Sequence, residues 1–126
     1  MTQRHVLIAD DEPNIVISLE FLMKREGWQV SVARDGIEAL AAIQRDRPDL
    51  VLLDVMMPGK TGFEVCQAVR ADESLAGVKI LMLSAKGRDN DLAKGQALGA
   101  DAYMTKPFST KELAAKVRSM LGDAAL

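Results

Sequence analysis

Apolar positions along the chain follow two alternating rhythms. Short runs rich in aliphatic residues recur at His5–Ala9 (HVLIA), Gln29–Ala33 (QVSVA), Leu50–Leu53 (LVLL), Lys79–Leu83 (KILML) and Ala102–Thr105 (AYMT). Their length and their Val, Ile and Leu content predict strands buried on both faces. Between them, apolar residues return at helical spacing. Ile15, Leu19 and Leu22 form one stripe, stopped at Gly27; Val65, Cys66 and Val69 form a second; Leu113, Val117, Met120 and Leu121 form a third. Asp35–Glu38 (DGIE) and Ser109–Glu112 (STKE) read as capping boxes that open helices, and Pro13 suits a first helical turn. The segment Arg88–Leu98 is the weakest helix of the set, because Gly95 interrupts it and its apolar face is thin. Strands and helices in strict alternation predict an α/β fold, a doubly wound five-stranded parallel sheet with helices on both faces and right-handed crossovers. Such sheets bind ligands beyond the carboxyl ends of their strands, where the strand order reverses.

Composition narrows the picture. A chain of 126 residues predicts a single domain spanning 1–126, able to bury a core without disulfides. The lone cysteine, Cys66, predicts a reducing compartment and more core than reactivity. A net charge of −2 gives no basic footprint for nucleic acid. No apolar run reaches the roughly 20 residues of a membrane span, and the first residues lack a secretory h-region. The expectation is a cytoplasmic domain that binds neither nucleic acid nor membrane directly.

The chemistry stands at the strand ends. The first strand runs into Asp10–Asp11–Glu12, the third into Asp54, the fourth into Ser84 and the fifth into Lys106–Pro107. Taken singly, each has a bland reading: an Asp pair caps helices, a serine serves a loop, a lysine lies in solvent. Asp54 is different, since an acid that continues a buried strand is costly unless it sits at the mouth of a site. If the fold holds, these residues meet at one edge. Crowded carboxylates need a cation, and hard oxygen ligands suit Mg²⁺. A lysine can hold an anion, and a hydroxyl can donate to a phosphoryl oxygen. Together the set is what formation of an aspartyl phosphate requires.

Four stretches, Val6–Glu12 (VLIADDE), Asp49–Val65 (DLVLLDVMMPGKTGFEV), Ile80–Lys86 (ILMLSAK) and Gly99–Phe108 (GADAYMTKPF), resemble in order and spacing the response-regulator receiver domains of two-component signalling. The resemblance covers essentially the whole chain. It implies a flavodoxin-like fold with strand order 2-1-3-4-5 and a module that catalyses its own phosphorylation without being a turnover enzyme. Asp54 would accept the phosphoryl group. Asp10 or Asp11, with Asp54 and the backbone carbonyl of Met56, would ligate Mg²⁺, Asp11 the more directly. Lys106 would pair with the phosphoryl group, and a cis Lys106–Pro107 bond would aim it into the site. Ser84 would close on a phosphoryl oxygen, and Tyr103 would turn inward with it. Met56 and Lys86 would flank the path of attacking water. The implied donor is a phosphohistidine on a sensor histidine kinase or phosphotransfer protein. The implied output is a switched face of the fourth helix, fifth strand and fifth helix that binds a downstream protein. After the last helix only Gly122–Leu126 remains, so the chain reads as a stand-alone receiver or as the receiver of a larger regulator. Leu92, Ala97 and Ala102 stand where the DNA-binding subfamily carries charged residues for dimerisation, which leaves a more apolar face.

Other classes fit less well. A flavin carrier needs a Ser/Thr/Gly-rich loop after the first strand, where this chain has acids. An aspartyl-intermediate phosphohydrolase needs an acid two residues after its nucleophile, where Met56 stands. A phosphorylation-independent pseudo-receiver would not need the full set Asp11, Asp54, Ser84 and Lys106. His5 reads as a surface histidine, and Trp28 as cover for an edge of the core.

Overall fold

The computed structural model describes residues 3–85 and 89–122. Five parallel strands, β1 (His5–Ala9), β2 (Gln29–Ala33), β3 (Leu50–Asp54), β4 (Lys79–Ala85) and β5 (Ala102–Lys106), form one sheet in the order β2-β1-β3-β4-β5. Five helices connect and follow them: α1 (Pro13–Arg25), α2 (Gly36–Asp46), α3 (Gly62–Ala71), α4 (Asp89–Ala97) and α5 (Thr110–Leu121). The flavodoxin-like fold and strand order are thus as expected. A short 3-10 turn at Glu73–Leu75, which periodicity does not reveal, precedes β4.

Alternate residues of each strand feed two cores. Val6, Ile8, Leu50, Leu52, Leu81 and Leu83 pack with α1 and α5 on one face. Leu7, Val51, Leu53, Ile80 and Met82 pack with α2 and α3 on the other. Central β3 is buried throughout, whereas the edge strands β2 and β5 are only partly covered.

Several local expectations shift. The buried stripe of α1 is Val16, Leu19, Leu22 and Met23, while Ile15 is half-buried at its margin. At Asp35 and Ser109 the side chain accepts from the amide three residues on. The reciprocal box forms instead at Thr61–Glu64, which opens α3: Glu64 N donates to Thr61 Oγ1 and Thr61 N donates to Glu64 Oε1. His5 is half-buried rather than a plain surface residue, with its Nε2 and Ser31 Oγ 2.7 Å apart. Ala102 is partly buried against the α1–α5 core, so it does not add to an exposed apolar face. Trp28 is buried in that same core, as expected of an edge cover. Lys86 and Arg88 lie outside the described residues.

Candidate functional site

The strand order reverses between β1 and β3, whose next neighbours lie on opposite sides. Asp10 follows β1 and Asp54 closes β3, so both stand at this crevice. Parallel register sets the other members. Asp54 lies opposite Leu83, one residue before Ser84, and Lys106 lies opposite Ala85. Periodicity ended β4 and β5 early: Ser84 lies inside β4 and Lys106 inside β5.

Asp10 is fully buried, and both its oxygens are engaged. Oδ1 accepts from Glu12 N at 3.0 Å, and Oδ2 accepts from Lys106 Nζ at 3.0 Å. The same ammonium lies 3.4 Å from Asp54 Oδ1. Carboxylate oxygens of Asp10, Asp11 and Asp54 all lie within 4.8 Å of one another, with Asp11 exposed and the other two buried. Burial and the neighbouring Asp10 charge push the Asp54 carboxyl up to about 6, although Lys106 pulls it down. Burial opposes the Lys106 charge, yet the hydrogen bond to Asp10 and the charges of Asp54 and Asp10 hold the ammonium above its ordinary pKa. Among the described residues one cation, Lys106, thus lies against a pocket of three acids, and the remaining negative charge suits a hard divalent ion.

The loop after β3 is fitted closely. Gly62 N donates to Val55 O at 2.8 Å, and a β-carbon at Gly62 would stand 2.3 Å from the Asp54 carbonyl oxygen. Only glycine permits α3 to start so close to the strand end that carries Asp54. Met56 follows in this loop as a 55 % exposed side chain, while Met57 is buried.

Ser84 is buried, and its Oγ donates to Asp91 Oδ2 of α4 at 2.6 Å. Asp91, itself buried, is the residue of this region that sequence reasoning passed over. It lies in a polar stretch (DNDLAKGQ), and no periodicity marks one of the four acidic or amide residues there as inward-facing. Tyr103 is half-buried on β5 against the α2–α3 core. The Lys106–Pro107 peptide is cis.

Comparison with known proteins decides the family. The response regulator receiver domain profile matches residues 6–118. The chain belongs to the response regulator receiver family. The receiver is 46 % identical over 121 residues to the DNA-binding response regulator MtrA of Mycolicibacterium smegmatis, covering 96 % of this chain and 51 % of the relative. It therefore spans about half the length of that curated relative. It superposes on the chemotaxis response regulator CheY4 of Vibrio cholerae with TM-score 0.88 at 34 % identity, covering 94 % of this chain and 99 % of the other. The receiver domain of the sensor histidine kinase PA1611 from Pseudomonas aeruginosa PAO1, with a magnesium ion coordinated in its active site cleft, gives TM-score 0.87 at 27 % identity, covering 96 % and 99 %.

As a receiver, the chain is not a turnover enzyme, and receivers pair with histidine kinases. Its acidic pocket of Asp10, Asp11 and Asp54 is typical of an Mg²⁺ site and, with Lys106, is consistent with Mg²⁺-dependent aspartyl phosphorylation. Among the described residues no helix is long and apolar enough to cross a membrane.

Proposed function

We propose that residues 1–126 form a single cytoplasmic receiver domain that takes a phosphoryl group onto Asp54 from a phosphohistidine of a sensor kinase or phosphotransfer protein. One observation carries the reading: Lys106 spans Asp10 and Asp54 in a pocket of three acids at the reversal of strand order. An Asp54 carboxylate oxygen attacks phosphorus. A P–O bond forms as the P–N bond of the phosphohistidine breaks, and the imidazole nitrogen keeps the electron pair. The ammonium of Lys106 moves its contact from carboxylate to phosphoryl oxygen, so no new charge is buried alone. Asp11 is the more direct metal ligand, because both oxygens of Asp10 already accept from Glu12 N and Lys106. Asp54 and the Met56 carbonyl complete the protein's donors to Mg²⁺, which when bound supplies neutralising charge for the phosphoryl oxygens. After transfer Ser84 donates to a phosphoryl oxygen, and Tyr103 turns inward. The surface of α4, β5 and α5 changes for a downstream protein. Neither nucleic acid nor membrane is a direct partner of this domain.

Intact mass after incubation with acetyl phosphate tests the reading, with Mg²⁺ or with chelator. The expected result is one phosphoryl adduct that requires Mg²⁺ and is lost in Asp54→Asn. No adduct on folded protein would overturn it and leave a phosphorylation-independent interaction module.

A further inference from the structure

Helix α4 is nearly devoid of apolar anchors. Among its described residues, Asp91 and Gly95 are the buried ones, one helical turn apart. Each meets a different residue of the site. Asp91 Oδ2 accepts the Ser84 hydroxyl at 2.6 Å, between two buried side chains. Gly95 packs over Tyr103 and Met82, close enough that a β-carbon there would stand 3.9 Å from Tyr103 Cδ2 and 3.6 Å from Met82 Cγ. One face of α4 thus lies against both Ser84 and Tyr103.

A serine hydroxyl has one proton to donate. Here its other acceptor, Ala85 O at 3.5 Å, is too distant to compete with the Asp91 carboxylate. The proton cannot serve Asp91 and a phosphoryl oxygen at once. We propose that Asp91 is a positioning residue, a latch that holds the Ser84 hydroxyl on α4 and must release it before Ser84 can close on a phosphoryl group. This rests on the assignment of Asp54 as the acceptor. The trade couples the two events in both directions: phosphorylation withdraws the donor from α4 and loosens the helix, and the α4 contact disfavours the phosphorylated state. A partner that pulls α4 away from β4 then favours phosphorylation by freeing Ser84.

The test measures binding of beryllofluoride with Mg²⁺, a phosphoryl mimic, by calorimetry, alongside amide hydrogen exchange of α4 in the unliganded protein. Asp91→Ala is expected to bind the mimic about 10-fold more tightly, since a charge-assisted hydrogen bond no longer competes for the serine proton. Asp91→Asn, which keeps shape and a weaker neutral acceptor, is expected to gain about 3-fold. Both gains vanish when Ser84→Ala is added. Exchange of the α4 amides quickens in Asp91→Ala and in Ser84→Ala, and the double variant is no faster than either. Unchanged or weaker mimic binding by the folded variants overturns the latch. So does a gain that survives Ser84→Ala, because the carboxylate charge would then act without the serine. If Asp91→Ala does not fold, Asp91→Asn with and without Ser84→Ala decides by the same criteria. Wild type that binds no mimic overturns the acceptor assignment, and the latch falls with it; wild type that binds while the variants do not differ overturns the latch alone.

Discussion

Two neighbouring strand–helix units deliver Asp54 and Ser84 to the same edge of the sheet, and they are built by different means. In the β3–α3 unit the strand is buried along its whole length. Its helix of 10 residues buries Gly62, Phe63, Val65, Cys66 and Val69 and opens on a complete capping box. In the β4–α4 unit the helix has 9 residues, mostly polar, and is tied through Asp91 to Ser84 and through Gly95 to Tyr103. Apolar burial is indifferent to charge at the strand end, so the packing of α3 against β3 does not itself depend on the charge at Asp54. A hydrogen bond to Ser84, the proposed switch, is not indifferent. On the proposed function, the receiver sets an apolar-packed unit under Asp54 and a polar, hydrogen-bonded one under Ser84. A further link joins them: the exposed Lys94 of α4 lies 4.5 Å over the buried Phe63 ring of α3, a contact of modest strength.

The sharpest way to break the contrast is to loosen the apolar-packed unit. In Gly62→Ala the new methyl meets the Asp54 carbonyl oxygen at 2.3 Å and Val55 Cα at 3.0 Å, both backbone atoms. A loss of about 3 kcal/mol in urea unfolding is expected, at the upper end of overpacking costs. Phosphorylation should suffer as well, because the displaced backbone carries the acceptor. A loss under about 1 kcal/mol would show that the β3–α3 unit is as yielding as β4–α4.

Asp54 tests whether that packing is held against a cost. Its carboxyl titrates near 6 in the folded protein, above the ordinary 3.8. Across that window the folded protein keeps a proton that the unfolded chain releases, so stability falls as pH rises from about 4 to 6. Asp54→Asn removes the cost. In chelator at pH 7 it should be more stable by about 1–2 kcal/mol, a figure reduced for the solvent that reaches the site. The gain should shrink towards zero near pH 4. A variant no more stable at pH 7 would mean that Lys106 already compensates both acids fully.

The smallest effect sharpens the contrast from the other side. Gly95→Ala adds a methyl that meets neighbours at 3.6 Å or more, ordinary contact distance. Removing a mid-helix glycine should stabilise the protein by up to about 1 kcal/mol and slow hydrogen exchange in α4 more than in α3. Equal slowing in both helices would argue that they open as one unit.

Much of this molecule is local. Runs such as LVLL and KILML are strands because buried aliphatic side chains suit a pleated surface, and their alternation with helical stripes dictates a parallel sheet whatever the details. Asp10, Asp11, Asp54, Ser84 and Lys106 were legible because each closes or follows such a run, and the parallel topology gathers those ends. The family pattern added Tyr103 and the cis Lys106–Pro107 bond, which no periodicity indicates. The capping box at Thr61–Glu64 was also written locally, at the standard spacing of three.

Tertiary structure decided the rest, because it turned on which side chain meets which across the sheet. The half-buried pairing of His5 with Ser31 depends on the register of β1 beside β2. The difference between Asp10, buried on Lys106, and Asp11, exposed, depends on the turn that carries the chain off β1. Asp91 is the clearest case. In sequence it is one acid in a run of polar residues, with nothing to set it apart from Asp89 or Asn90. Burial on Ser84 distinguishes it, and burial comes from how α4 lies against β4, which short-range propensity does not specify.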